Sequence, residues 1–168
     1  SLDGVKDHLK LSDAQLRKMI LTLPAIIEIN FDNNIKPTLD VVQDYLKLSE
    51  DELKKIVLHS PGLIGLNFDN SIKPTLDAVR NYLKLSDDEL RKIIVRQPSI
   101  VGRNFDDNIK PTLDTLQDRL EISDAELKKM VVSMPSIIAY SNIVPKLDWM
   151  QTTFDLNQIQ LVELVKKQ

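Results

Sequence analysis

No cysteine occurs in the 168 residues, which excludes disulfides and thiolate metal sites. The two histidines, His8 and His59, fall in different parts of the chain, and no pair stands at ligand spacing, so no metal site is expected. Only four glycines are present, and none builds a glycine-rich phosphate loop. No nucleophile stands with a base in reach. We therefore expect no cofactor and no enzymatic activity. Apolar residues make up 42% of the chain, yet no run approaches the ~20 positions that a membrane span needs. No membrane association is expected, and neither a signal nor a transit peptide follows Ser1.

Repetition fills the space these absences leave. Prolines 24, 61, 98 and 135 stand 37 residues apart, as do prolines 37, 74 and 111; Ser12, Ser49, Ser86 and Ser123 keep the same step. The stretch Pro74 to Gln97, PTLDAVRNYLKLSDDELRKIIVRQ, reads as helix, short turn, helix, and it is the unit from which the chain is built. A fixed period in this range marks a solenoid, whose units bury their apolar faces only against their neighbours. The expected fold is an all-α solenoid, one array over residues 1–168, with repeats at about 1–36, 37–73, 74–110 and 111–144 and a partial one at 145–168. Ser1-Leu2-Asp3 aligns with Thr38-Leu39-Asp40, and Gln168 with Gln97. We read the chain as a piece of a longer array.

Within each unit the first helix (helix A) shows Ile72, Leu76, Val79 and Leu83 at helical spacing. The second (helix B) opens on a capping box: Ser12…Gln15, Ser49…Glu52, Ser86…Glu89, Ser123…Glu126. There the hydroxyl takes an orphan amide and the residue three positions on reaches back. Helix B then places Leu90, Ile93 and Ile94 on one stripe that Val95 widens. The columns containing Leu16, Met19, Ile20 and Leu21 never turn polar, and all four are expected in the core. A proline follows helix B in Pro-x-[Ile/Leu]-[Ile/Val], closing it and starting a short third helix, 3₁₀ in kind. Asn-Phe-Asp (30–32, 67–69, 104–106) leads into the next helix A, its Phe an apolar plug. Helix A begins either at that Asp or at Lys-Pro; the early start leaves Pro37, Pro74 and Pro111 inside it as kinks. Residues 135–168 diverge: three residues are missing between Pro135 and Pro145, Trp149 appears, and Asn157 with Gln160 replaces the serine box.

The combination Leu-x-Leu-Ser-x-x-Glu-Leu, Pro-x-Ile-[Ile/Val] and Ile-Lys-Pro-x-Leu-Asp, repeated in register through at least residues 1–145, resembles the mitochondrial transcription termination factor (mTERF) family. The resemblance implies two helices plus a short 3₁₀ helix per unit, stacked into a curved, left-handed superhelix. It also implies binding of double-stranded DNA or structured RNA in mitochondria or chloroplasts, in transcription termination, regulation of gene expression or ribosome assembly. Tetratricopeptide and pentatricopeptide arrays lack the proline that ends helix B here.

The net charge of -3 is not the basic balance usual for a nucleic-acid binder, and only residues 74–110, with seven basic and six acidic groups, are net positive. Segregated charge suffices, however, to follow a phosphate backbone. One column of cations comprises Arg17-Lys18, Lys54-Lys55, Arg91-Lys92 and Lys128-Lys129, five and six residues after each cap, with Lys166 and Lys167 extending it. A second comprises Lys36, Lys73, Lys110 and Lys146 beside the repeated proline. Arg96 and Arg103 break the columns and make the third repeat basic. Against this stands ordinary helix-surface pairing, since Lys55 follows Asp51 by four and Lys36 precedes Asp40 by four. Tyr45 and Tyr82 are expected at the flank of helix A, and Phe31, Phe68 and Phe105 as plugs, which leaves little base readout. The reading is a monomeric nucleic-acid-binding solenoid that takes duplex DNA first. The other reading is a scaffold whose face takes a protein partner, or an rRNA-binding assembly factor.

Overall fold

A computed structural model describes residues 1–140 and 142–167. Among them are ten α-helices and no strand. They pair as α1 (Leu2–His8) with α2 (Asp13–Thr22), α3 (Lys36–Leu46) with α4 (Glu50–His59), and α5 (Lys73–Leu83) with α6 (Asp87–Arg96). The pairs α7 (Lys110–Leu120) with α8 (Asp124–Ser133) and α9 (Ile143–Thr153) with α10 (Gln158–Lys166) complete the stack. The first member of each pair is helix A, the second helix B. A 3₁₀ turn follows each of the first four B helices, at Pro24–Ile27, Pro61–Gly65, Pro98–Gly102 and Pro135–Ala139.

The start of helix A is settled by a wider turn. Phe31–Ile35, Phe68–Ile72 and Phe105–Ile109 are single π-helical turns that run straight into α3, α5 and α7. Asn30 opens the first of them: its side chain accepts from the amide of Asn33 at 2.9 Å, while its carbonyl accepts from Ile35 at 3.3 Å. Pro37, one residue into the α-helix, has no N–H, and its ring would press on the carbonyl four residues back. The longer i to i+5 loop gives that ring room and keeps the helix continuous. The kink expected of an early start is thus replaced by a π turn.

Helix A ends in the left-handed region without glycine: Lys47 and Lys84 have φ 53°, and Glu121 the same. The amide of Leu48 reaches back to Gln43 O at 2.9 Å and that of Lys47 to Asp44 O, so the last carbonyls are satisfied at the cost of a strained side-chain residue. Two residues later every B helix is capped. All five boxes are formed, including Asn157 with Gln160.

Burial follows the repeat. Ile72 at the end of the π turn, Leu76, Val79 and Leu83 of helix A and Leu90, Ile93 and Ile94 of helix B are buried, as are their equivalents in the second and fourth units. The expectation for the fourth helix B column is corrected: Leu21 is exposed, and Leu58, Val95 and Val132 are only half-buried. These residues sit at the edge of the apolar stripe, where the neighbouring helix no longer covers them. Between units, α4 packs on α6 and α6 on α8, while α3 also meets α6 and α5 meets α8. Each buried Leu or Ile contributes about 1.5–3 kcal/mol, against less than about 1 kcal/mol for an exposed ion pair. The apolar seam holds the array together.

Aromatic plugs close the first three junctions at their flank. Phe31 packs edge-on to His8, Phe68 to Tyr45 and Phe105 to Tyr82, with centroids 5.4–5.8 Å apart. Phe31 lies deepest, over Gly4, where a Cβ would stand 2.5 Å from its ring. The second and third units carry Val41 and Ala78 at that position, and their Phe68 and Phe105 ride higher.

Candidate nucleic-acid interface

The charge on helix B is sorted along its length. Acidic residues crowd the first turn, as in Glu50-Asp51-Glu52 and Asp87-Asp88-Glu89, where the helix dipole is positive and the caps need acceptors. Beyond that turn α2, α4, α6 and α8 carry no acid at all, only neutral and basic residues. Amides and cations hold the capping carboxyls in their charged form. The Ser49 amide, then Arg91, keep Glu52 below its ordinary range, and the Ser86 amide, then Lys128, do the same for Glu89.

The two residues of the first column face different ways. Lys54, Arg91 and Lys128 are half-buried and turn back onto the preceding unit. Lys54 Nζ donates to Lys10 O at 2.7 Å, Arg91 Nη1 to Glu52 Oε2 at 2.7 Å, and Lys128 Nζ to Lys84 O at 3.0 Å, with Glu89 at 3.1 Å. In the last unit Val162 occupies this column, and Lys166, one turn on, supplies the link by reaching Glu126 at 3.1 Å. Arg17, in the first unit, is exposed.

Lys18, Lys55, Lys92 and Lys129, one residue on, all point to solvent. Lys92 pairs with Asp88 at 2.9 Å with both groups more than half exposed. Lys18, Lys55 and Lys129 make no ion pair among the described residues. One repeat position thus puts an exposed lysine on each of four B helices, three of which pack in succession. His59 and Arg96 stand one turn further along the same face of α4 and α6. Arg96 donates to Ser133 O at 3.0 Å and Arg103 to Ala139 O at 3.4 Å, both of them carbonyls of the next unit.

The second column is occupied by structure. Lys36, Lys73 and Lys110 pair with Asp40, Asp77 and Asp114 at 2.7–2.9 Å. Each aspartate also receives a group from the preceding helix A: His8 at 3.3 Å, and the hydroxyls of Tyr45 and Tyr82. Lys146 departs from this pattern, its ammonium 4.0 Å above the Tyr140 ring.

Three features were not singled out from the sequence. Lys47 and Lys84 are exposed at the left-handed turn between helices A and B; a charged residue where glycine is usual was the available signal. Arg80 lies against the Tyr45 ring, 5.2 Å from its centroid. Tyr140 and Phe154 are exposed within the divergent residues 135–168, beside the exposed Trp149 that the sequence had already marked. Among the described residues no cluster of three or more metal-ligating side chains is present, and no helix is long and apolar enough to cross a membrane.

Paired helices repeated in register, stacked on an apolar seam and carrying an exposed lysine at one outward position in each of the first four units, define a helical-repeat protein. The chain belongs to the mTERF family, whose family model matches residues 5–168. No curated protein matches it. Membership supports a nucleic-acid-binding helical-repeat protein, in a family that is generally organellar.

Proposed function

We propose that the chain binds double-stranded DNA through the helix B face, without catalysis, and acts in organellar transcription termination or the regulation of organellar gene expression. The observation that carries this is the sorting of charge on helix B: four exposed lysines at one repeat position, with no acid beyond the first turn of any of the first four B helices. Lys18, Lys55, Lys92 and Lys129 are the phosphate contacts, with Arg17, Arg96 and Arg103 flanking. Lys54, Arg91 and Lys128 add positive potential to the same face while holding the units together. Lys36, Lys73 and Lys110 contribute least, because each is neutralised by its aspartate. Contacts of this kind position a duplex and carry no sequence information themselves.

Titration against generic duplex DNA at several salt concentrations tests the reading. Four phosphates engaged on duplex DNA give a log–log slope of about −3.6. Absence of binding at low salt overturns it. Tighter binding to a structured RNA than to a duplex of equal length replaces DNA with RNA as the partner.

A further inference from the structure

His59 is the last residue of α4, exposed, and one turn beyond Lys55 on the face that carries the outward lysines. Its Nδ1 stands 2.9 Å from Lys55 O. A carbonyl oxygen only accepts, so Nδ1 keeps its proton whether the ring is neutral or charged. The atom that gains and loses a proton is therefore Nε2, which has no hydrogen-bond or ion-pair partner among the described residues. The other histidine is committed to a junction. His8 is half-buried, edge-on to Phe31, with its Nε2 3.3 Å from Asp40.

The repeat shows what the ring adds. Thr22 holds the same position in the first unit and makes the same bond, its Oγ1 donating to Lys18 O at 2.9 Å. Ser133, in the fourth unit, donates to Met130 O at 3.0 Å. A hydroxyl is thus enough to satisfy a carbonyl at this end of helix B. Arg96 puts a permanent cation at the position in the third unit. His59 combines the two, closing its helix as Thr22 does and carrying a charge once Nε2 is protonated.

We infer that His59 is a proton-dependent phosphate contact, so that the helix B face holds duplex DNA more tightly in mild acid than in mild base. The inference rests on the function proposed for that face. A neutral ring turns the Nε2 lone pair to a phosphate oxygen, and two acceptors repel. A protonated ring offers an N–H and a charge, the interaction that Lys55 offers beside it. Histidine is the side chain whose ordinary titration falls between about pH 5 and 8. By linkage, a phosphate that prefers the charged ring also draws a proton onto it. Lys55 on the same helix and Arg96 at the same end of α6, which packs on α4, are the other charges of this face. Lys36 and Asp40, in the first half of α3, neutralise each other at 2.7 Å. The 3₁₀ turns Pro61–Gly65 and Pro98–Gly102, both packed on α4, carry no charge. The capping carboxyls of Glu52 and Glu89 are held below the ordinary glutamate range and stay charged throughout this window.

Fluorescence anisotropy of the whole chain with a generic DNA duplex, over a salt series at about pH 5.5 and again at about pH 8, tests it. His59→Thr keeps the bond to the Lys55 carbonyl, on the pattern of Thr22, and removes the second nitrogen. His8→Gln is the control, and circular dichroism verifies the helix content of each chain at both pH values. The expected result is a log–log salt slope steeper at the lower pH by up to about 0.9 for the unaltered chain and for His8→Gln. His59→Thr is expected to show one slope at both pH values, equal to that of the unaltered chain at the higher pH. Equal slopes in the unaltered chain, a difference that persists in His59→Thr, or one that disappears in His8→Gln overturns the inference and leaves duplex binding standing. Absence of binding at both pH values overturns the inference together with the function it rests on.

Discussion

The guanidinium of Arg91 lies 2.7 Å from the carboxylate of Glu52, the residue that closes the capping box of the unit before it, and 2.7 Å from Asp88 in its own. A cap that serves one helix is thereby tied to the next. Arg91→Ala is expected to lower the thermal midpoint more than Lys55→Ala, its exposed neighbour by repeat position, as thermal unfolding of the two variants will show. Equal midpoints would mean that this link adds nothing to the stack.

The caps themselves carry stability. Ser86 Oγ accepts from the Glu89 amide at 3.1 Å while Glu89 Oε1 accepts from the Ser86 amide at 3.0 Å. Ser86→Ala removes one of the two bonds and is expected to cost about 1 kcal/mol in urea unfolding.

Acid sensitivity follows from the same boxes. The amides of Ser49 and Ser86 lower the carboxyls of Glu52 and Glu89, so their contribution to folding is complete above the ordinary glutamate range, near pH 4.3. It is lost as pH falls through the lowered native values. Gln15 and Gln160 show that the box forms without a charge. Glu89→Gln is expected to flatten the loss of stability below about pH 4.3 while leaving the fold intact, measured as unfolding midpoint against pH.

Core and edge positions separate sharply. Leu76 is fully buried, and Leu76→Ala is expected to cost about 2–5 kcal/mol. Leu21→Ala, on the exposed edge of helix B, is expected to stay within about 0.5 kcal/mol of the unaltered protein. Urea titration of both variants measures the contrast.

On the binding face, Lys55→Ala is expected to reduce the salt slope for duplex DNA by about 1. Lys73→Ala leaves it unchanged, because Asp77 already neutralises that ammonium. Fluorescence anisotropy at several salt concentrations reads both. A loss of slope for Lys73→Ala and none for Lys55→Ala would move the interface to the proline edge of the units.

The repeat made most of the fold legible. Caps, apolar spacing and punctuating prolines are local signals, each read from a few neighbouring residues, and the period repeated them until Ser12, Ser49, Ser86 and Ser123 left one interpretation of where helix B begins. The π turn escaped because Asn-Phe-Asp and Lys-Pro each start a helix plausibly, and only the continuous backbone shows that they start the same one. Leu21 was misplaced because an unbroken apolar column says nothing about how wide the neighbour's cover is.

The candidate site divides along the same line. Sequence spacing determined that cations recur five and six residues after each cap, and that aspartates stand four residues after Lys36, Lys73 and Lys110. Neighbouring residues on a helix differ in direction by about 100°, so one of each adjacent pair turns into the junction and the other out of it. Which one depends on where the preceding unit sits. Tertiary structure alone decided that Arg91 clasps Glu52 while Lys92 meets solvent, and that Tyr45 and Tyr82 join the aspartates that hold the second column. Those contacts span some 30 to 40 residues of chain, and no local pattern reports a distance of that kind.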